Sequence, residues 1–356
     1  MHKTGSTAIQ NWLHYSRLPG ARYFRWRAPN HSDLFVLLFE DDPEKYFPLA
    51  TRGYTKERAE KERERERQRI RKQIERSRKD VFIFSAERIS TAPEAAVAEM
   101  QKFFSEMFSD IQVYAYVRKP SSFMASMVQQ HMKTGDFKFE LENLWPYYRR
   151  RFDKLLRVFG EENVHLRSFD ALAENGREAV GDFADWVGLS AVPPKNIVEN
   201  RSMNATGMAL LFFYRKIVEP TTPVDQRALF DEHLLDAVQK KVPGEKFQVA
   251  LNHGARRPEW ITSDMEWISE RLGVDVDDLD LVKKDVRVFR REDDILDHAV
   301  GMSHLLVPGT NADVLDPKAV GSVEATCERF EVFLSHSGGF RARLRRWLKK
   351  VKRGGR

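Results

Sequence analysis

A chain of 356 residues, 42% of them aliphatic or aromatic, can bury one large domain with additions, or two domains. No stretch approaches the roughly 20 apolar residues of a membrane span, and no charged segment followed by an apolar one marks a secretory leader. The single Cys327 excludes an intramolecular disulfide framework and gives no metal site, so a reducing, cytoplasmic setting is expected. The net charge of +6 is concentrated. Residues 56–80 hold twelve Lys/Arg against seven Asp/Glu, residues 341–356 hold nine Lys/Arg and no acid, and the remainder is net acidic. Nucleic-acid-binding domains carry their positive charge on the folded face, so no nucleic-acid partner is expected.

The chain opens on His2-Lys3-Thr4-Gly5-Ser6-Thr7, which runs straight into a helical pattern with Ile9, Trp12 and Leu13 on one face. The glycine lets the backbone approach a phosphate-like group, and the first N–H groups of the following helix have no partners of their own. Lys3 adds a mobile positive charge, and Ser6 and Thr7 add donors. This is not a Walker A sequence, in which the lysine follows the second of two glycines. An ordinary helix start beside a lysine accounts for the hexapeptide alone equally well.

An irregular aromatic and basic stretch, Arg22 to His31, comes next and reads as a solvated loop pinned by a few aromatics. Ser32 to Phe39 is apolar behind a capping pair and predicts a short buried helix. Residues 55–79 alternate glutamate and arginine, which predicts a charged, exposed helix supported by i,i+4 pairs and docking only at the turn of Ile70 and Ile74. Asp80 to Ser85 is a continuous β-rich run, the pattern of a strand buried on both faces of a parallel sheet. Ser85-Ala86-Glu87-Arg88 stands at its carboxyl end, where chemistry gathers in open α/β sheets. A helix over roughly Pro93 to Phe108 leads to a second buried strand, Ile111 to Val117. Pro120 then starts a helix that runs to Lys133 and ends near Gly135.

Two motifs in this order resemble those of sulfotransferases that use 3′-phosphoadenosine 5′-phosphosulfate (PAPS). Lys3-Thr4-Gly5-Ser6-Thr7 opening a helix is similar to their 5′-phosphosulfate loop. The strand followed by Arg118-Lys119-Pro120, with Ser126 eight residues after the arginine, resembles their 3′-phosphate segment. Gln129 to Gly135, Trp145-Pro146-Tyr147-Tyr148, and the Phe159-Gly160-Glu161-Glu162-Asn163-Val164 turn into the next strand are similar to bacterial members that sulfate sugars. The resemblance covers about residues 2–210, fades into generic helices (204–218, 224–242, 262–272), and ends by about residue 300. Lys119 stands where the family often has asparagine, and Phe123 near where many members carry a charge. In the family an apolar strand precedes the loop. Here the sequence starts inside the motif, so that strand is expected to be missing through truncation, or its place taken by another segment.

The resemblance implies a P-loop-like three-layer α/β fold with a central parallel sheet over residues 1–300. The charged helix would be an appendage, 301–339 an irregular or helical extension, and 340–356 a basic tail. It also implies sulfuryl transfer from PAPS as co-substrate, with no metal, to a hydroxyl of a carbohydrate or glycan. Lys3 would neutralise charge on the bridging oxygen and the 5′-phosphate. The backbone of Gly5, Ser6 and Thr7, the Thr7 hydroxyl and the rest of the loop, Thr4 included, would hold that phosphate. Arg118 and Ser126 would hold the 3′-phosphate, the arginine bidentately. Glu87 is the first candidate for the base that takes the acceptor proton, and a structural ion pair with Arg88 or Arg118 is its alternative role. His131 is the second candidate, against a packing role. Asn200 and Ser202 read as a helix cap. A P-loop kinase is disfavoured by the lack of Walker motifs, and a truncated, non-catalytic scaffold stays open.

In the tail, Phe340, Leu344, Trp347, Leu348 and Val351 fall on one helical face, and cations cover the rest. Such a helix suits peripheral contact with an anionic membrane, here the inner membrane surface, while docking on the domain needs only the apolar stripe.

Overall fold

The computed structural model describes residues 1–134, 139–190, 203–221, 234–235, 242–251, 257–279, 286–306 and 322–336. In chain order, α1 (Ser6–Tyr15) and β1 (Ala21–Tyr23) precede α2 (Ser32–Phe39), α3 (Phe47–Ala50) and α4 (Lys56–Glu75). Then come β2 (Val81–Ile83), α5 (Glu94–Ser105), β3 (Val113–Val117), α6 (Pro120–Thr134), α7 (Tyr148–Phe159) and β4 (Val164–Ser168). The rest are α8 (Asp170–Glu174), α9 (Ala179–Trp186), α10 (Ala205–Phe213), β5 (Lys246–Val249), α11 (Glu259–Leu272), β6 (Val286–Phe289), α12 (Glu292–Met302) and α13 (Val323–His336). The chain is mixed α/β and mostly helical. Its described strands form three separate parallel pairs, β1–β2, β3–β4 and β5–β6, in place of one central sheet.

Contacts divide the chain into two interleaved units. Unit 1 takes Met1–Lys119, Pro146–Asn200 and Ala255–Asp277, and unit 2 takes Pro120–Trp145, Arg201–Gly254 and Asp278–Arg356. The expected cap at Asn200 and Ser202, most of the expected helix 224–242, and the basic tail 340–356 lie outside the described residues. No described helix is long and apolar enough to cross a membrane.

In unit 1, α2 is buried along nearly its whole length, with Leu34 to Leu38 at most 1% exposed. Phe39 of α2, Phe103 and Phe104 of α5, and Phe24, Phe82 and Phe84 beside the first strand pair form a continuous aromatic cluster. The expected charged appendage is instead docked along its length. The Arg63 Nε donates to the Leu37 carbonyl at 2.8 Å, and its guanidinium also reaches the Glu40 carbonyl. Arg67 donates to the Leu38 carbonyl at 3.0 Å. These carbonyls end α2 and have no helical partner, so the α4 arginines satisfy them. The Arg67 guanidinium also lies over the Phe39 and Phe103 rings, 5.9 and 5.5 Å from their centres. A charge-rich helix thus covers an apolar surface through side chains that hydropathy counts as polar.

The two strands expected to be buried on both faces are not. Val81 is 49% exposed and Tyr114 37%. A cleft of about 550 Å³ runs beside them, lined without a break by Asp80 to Glu87 on one side and Ser109 to Tyr116 on the other. Successive strand residues point to opposite faces. A void touched by all of them therefore lies against the strand edges and not against one face.

In unit 2, every residue of α10 is buried, the mark of a helix apolar all round. Its start is capped by Asn204, whose side chain accepts from the Gly207 N–H at 2.7 Å. Phe213 stacks on Phe330 of α13 with ring centres 5.7 Å apart. The start of α6 is held by Asp278, which accepts from the Ser121 N–H at 3.0 Å and from the Ser121 hydroxyl, while Gln248 of β5 donates to that hydroxyl.

Candidate functional site

The opening loop packs at the carboxyl end of β3. The Met1 amine donates to the Tyr116 carbonyl at 3.0 Å, and the Arg118 N–H meets the Met1 sulfur at 3.4 Å. The Thr4 hydroxyl turns inward and donates to the Met1 carbonyl at 2.7 Å, so Thr4 shapes the loop and is itself 2% exposed. Lys3 has φ 65° and Gly5 φ 71°, two left-handed residues that fold the loop tightly before α1. Glycine is required at position 5 twice over. A Cβ there would approach the Ala179 Cβ to 2.9 Å and the Phe169 ring to 3.3 Å, besides adopting a left-handed conformation.

This arrangement leaves the start of α1 without a side-chain cap, because its N-cap is Gly5. The N–H groups of Ser6, Thr7 and Ala8 lie in the first turn, where a helix favours an anion. Ser6 is half-buried and Thr7 is exposed. Arg118 braces the loop from below. Its guanidinium donates to the Lys3 carbonyl at 2.7 Å and lies 5.5 Å over the Phe169 ring, while Tyr148 donates to its carbonyl at 2.5 Å. The Lys119 N–H goes to Asp170 at 2.7 Å.

Glu87 opens a short 3-10 turn (Glu87–Thr91) just past β2, at the same end of the unit. Its carboxylate accepts from Asn30 at 3.5 Å and lies near enough to the Met1 amine to favour that amine's charge. It pairs with neither arginine proposed from the sequence. Arg88 is held bidentately by Glu40 at 2.7 and 2.8 Å. Sequence reasoning missed three neighbours of this carboxylate and loop. Burial pushes His2 down to about 4, with Arg151, the amino terminus, Lys3 and Arg88 acting in the same direction. Arg151 donates to the Pro146 carbonyl and, at 3.5 Å, to the Ser90 hydroxyl. Lys154, pushed down to about 8 chiefly by burial, donates to the Ser90 and Ala92 carbonyls at 3.1 and 2.5 Å. Neither arginine nor lysine on α7 is adjacent in sequence to the loop, and only the fold makes them neighbours. Glu87 thus shares its surroundings with Arg151 and with Arg88, the latter already paired to Glu40.

Loop, Glu87 and Arg118 come together in unit 1. Ser126 and His131, both half-buried on α6, belong to unit 2. On the same helix Gln129 accepts from the Met203 N–H at 3.0 Å.

His31 fixes the approach of β2 to this pole. Its Nδ1 accepts from the Ser85 N–H at 3.3 Å, so Nε2 carries the proton and donates to the Phe24 carbonyl at 3.0 Å. Burial pushes His31 down to about 4 from its usual 6.5, and a proton on Nδ1 would face the Ser85 donor. The unfolded chain therefore binds this proton before the folded one does. The stabilisation is present above about pH 6.5 and is lost as pH falls towards 4. For a fully buried ring the loss is on the order of 3 kcal/mol. Urea unfolding should show stability falling across that window, and His31→Gln should flatten the decline. An equal slope in the variant would assign the acid sensitivity to other groups.

Family models, curated proteins and solved structures yield no match to this chain.

Proposed function

We propose that the chain is a PAPS-dependent sulfotransferase acting on a hydroxyl of a carbohydrate or glycan, with a P-loop-like arrangement around the opening loop. One observation carries this reading. The Lys3–Gly5 loop delivers an uncapped helix start to the same pole as Glu87, amid the charges of Lys3, Arg88 and Arg151. The loop fits a phosphosulfate. Its helix start has no side-chain cap, and Lys3 supplies a positive charge beside it.

The nucleotide supplies a sulfuryl group on a good leaving group, and the protein supplies position and charge. The start of α1 binds the 5′-phosphate. Lys3 neutralises the charge that develops on the bridging oxygen as its bond to sulfur breaks. Glu87 takes the proton of the acceptor hydroxyl while that oxygen bonds to sulfur. The products are a sulfate ester and adenosine 3′,5′-bisphosphate. Arg118 would serve the 3′-phosphate, as the resemblance implies. A cytoplasmic setting goes with this nucleotide and with the lone Cys327.

A second reading, a non-catalytic scaffold of the same descent, is favoured by the open cleft beside β2 and β3. Thermal shift separates the two. Adenosine 3′,5′-bisphosphate at 100 times its Kd should stabilise the protein by about 2.7 kcal/mol, and ADP should not. Equal shifts from both would remove the 3′-phosphate site and revive a kinase. No shift from either would leave the scaffold.

A further inference from the structure

We infer that Tyr147 and Trp260 form an aromatic platform on which a pyranose ring of the acceptor glycan lies flat. The ligand class rests on the proposed carbohydrate acceptor. The two rings are 5.6 Å apart between centres, with planes 9° from parallel. They come from segments far apart in sequence, and one carboxylate joins those segments. Asp264 of α11 accepts from the Tyr148 N–H at 2.9 Å and from the Arg149 N–H at 2.8 Å, so it caps α7. Trp260 precedes Asp264 by four residues and stands on the same face of α11. Tyr147 is the residue just before α7, at φ 48° and ψ 61°. A bulky aromatic rarely adopts that left-handed conformation, and such strain gathers where ligands are held. The cap does not need the Tyr147 ring, since Asp264 binds the next two N–H groups. The strained residue instead lays its ring along an indole that is 43% exposed.

The size and the edges of the platform select its occupant. Two aromatic side chains offer at most about 150–250 Å² each. A stable protein interface needs roughly 800 Å² per partner. A helix lying in a membrane surface needs a longer apolar face, and Ile261, Met265, Trp267 and Ile268 of α11 are buried. The chain neighbours Glu259, Arg149 and Arg150 are exposed and charged. A β-linked glucose-type ring holds its hydroxyls equatorial and its C–H bonds axial. Each of its faces is therefore apolar, and its rim hydrogen-bonds. That pattern fits flat rings bordered by charged side chains. The platform also adjoins the brace of the opening loop. Tyr148, next to Tyr147, donates to the Arg118 carbonyl at 2.5 Å, and Arg118 donates to the Lys3 carbonyl at 2.7 Å.

Calorimetric titration with chitotetraose, a neutral β-linked tetrasaccharide, tests the platform on the parent protein and three variants. Trp260→Ala and Tyr147→Asn should each weaken binding by about 10-fold or more, and Trp260→Phe by less than about threefold. Asparagine tolerates the left-handed conformation, so Tyr147→Asn should keep the parent's melting temperature. Affinity for adenosine 3′,5′-bisphosphate should change by less than about twofold in all three. No binding by the parent, or equal binding by Trp260→Ala, would overturn the inference. A lower melting temperature of Tyr147→Asn with glycan affinity kept would do the same, making the stack a structural clasp. Loss of the bisphosphate together with the glycan would also overturn it, giving the rings to the nucleotide base. Trp260-dependent glycan binding by a parent that does not bind the bisphosphate would keep the platform and refute the transferase reading.

Discussion

Lys3→Ala is expected to lower sulfuryl transfer by about 1,000-fold or more, in the range of removing one preorganised charge from a transfer site. The protein should stay folded. The loop's shape is set by backbone contacts, chiefly the Lys3 carbonyl on Arg118 at 2.7 Å and the Met1 amine on Tyr116 at 3.0 Å, and neither uses the Lys3 side chain. Alanine at a left-handed position costs no more than lysine does, so unfolding should shift by less than about 1 kcal/mol. Transfer assays with labelled PAPS, alongside urea unfolding, measure both quantities. Retained transfer would take the lysine out of the chemistry.

Glu87→Gln is expected to reduce kcat by about 100-fold to 10,000-fold, the usual contribution of a positioned base, while affinity for the bisphosphate stays within about twofold. The amide keeps the shape of the side chain and its contact with Asn30, at 3.5 Å in the parent protein, and loses the negative charge and with it the ability to take a proton. A structural role would show the opposite split, with stability changed and turnover kept. Near-normal kcat would move the base to His131 or dispense with one.

Local signals made much of this fold legible. The apolar run Ser32 to Phe39 matched α2, although its N-cap is His31 without a side-chain cap, and Pro120 gave α6 its start. Phe159 ending α7, Gly160 at φ 87° and the turn into β4 at Val164 followed the pattern of the letters. What the letters hid was non-local. A row of arginines reads as solvated, yet Arg63 and Arg67 face the carbonyls that end α2. Asp80 to Ser85 is as apolar as a doubly buried strand, but burial depends on neighbours, and among the described residues β2 has a hydrogen-bonded strand on one side only. Asp278 at the start of α6 is 157 residues from Ser121 in sequence, beyond any capping pattern. The candidate site divided in the same way. The loop and Glu87 were visible as motifs at element ends. Arg151 and Lys154 were not, because positions on α7 acquire meaning only when α7 packs beside the loop.

The central claim is a site that recognises the 3′-phosphate of a nucleotide beside a 5′-phosphate loop. Calorimetric titration with adenosine 3′,5′-bisphosphate and with adenosine 5′-phosphate, on the parent protein and on Arg118→Ala, measures it directly. The bisphosphate should bind the parent at least about 30-fold more tightly, a difference of about 2 kcal/mol, and Arg118→Ala should erase most of that advantage. Equal affinity of the parent for the two nucleotides would contradict the account.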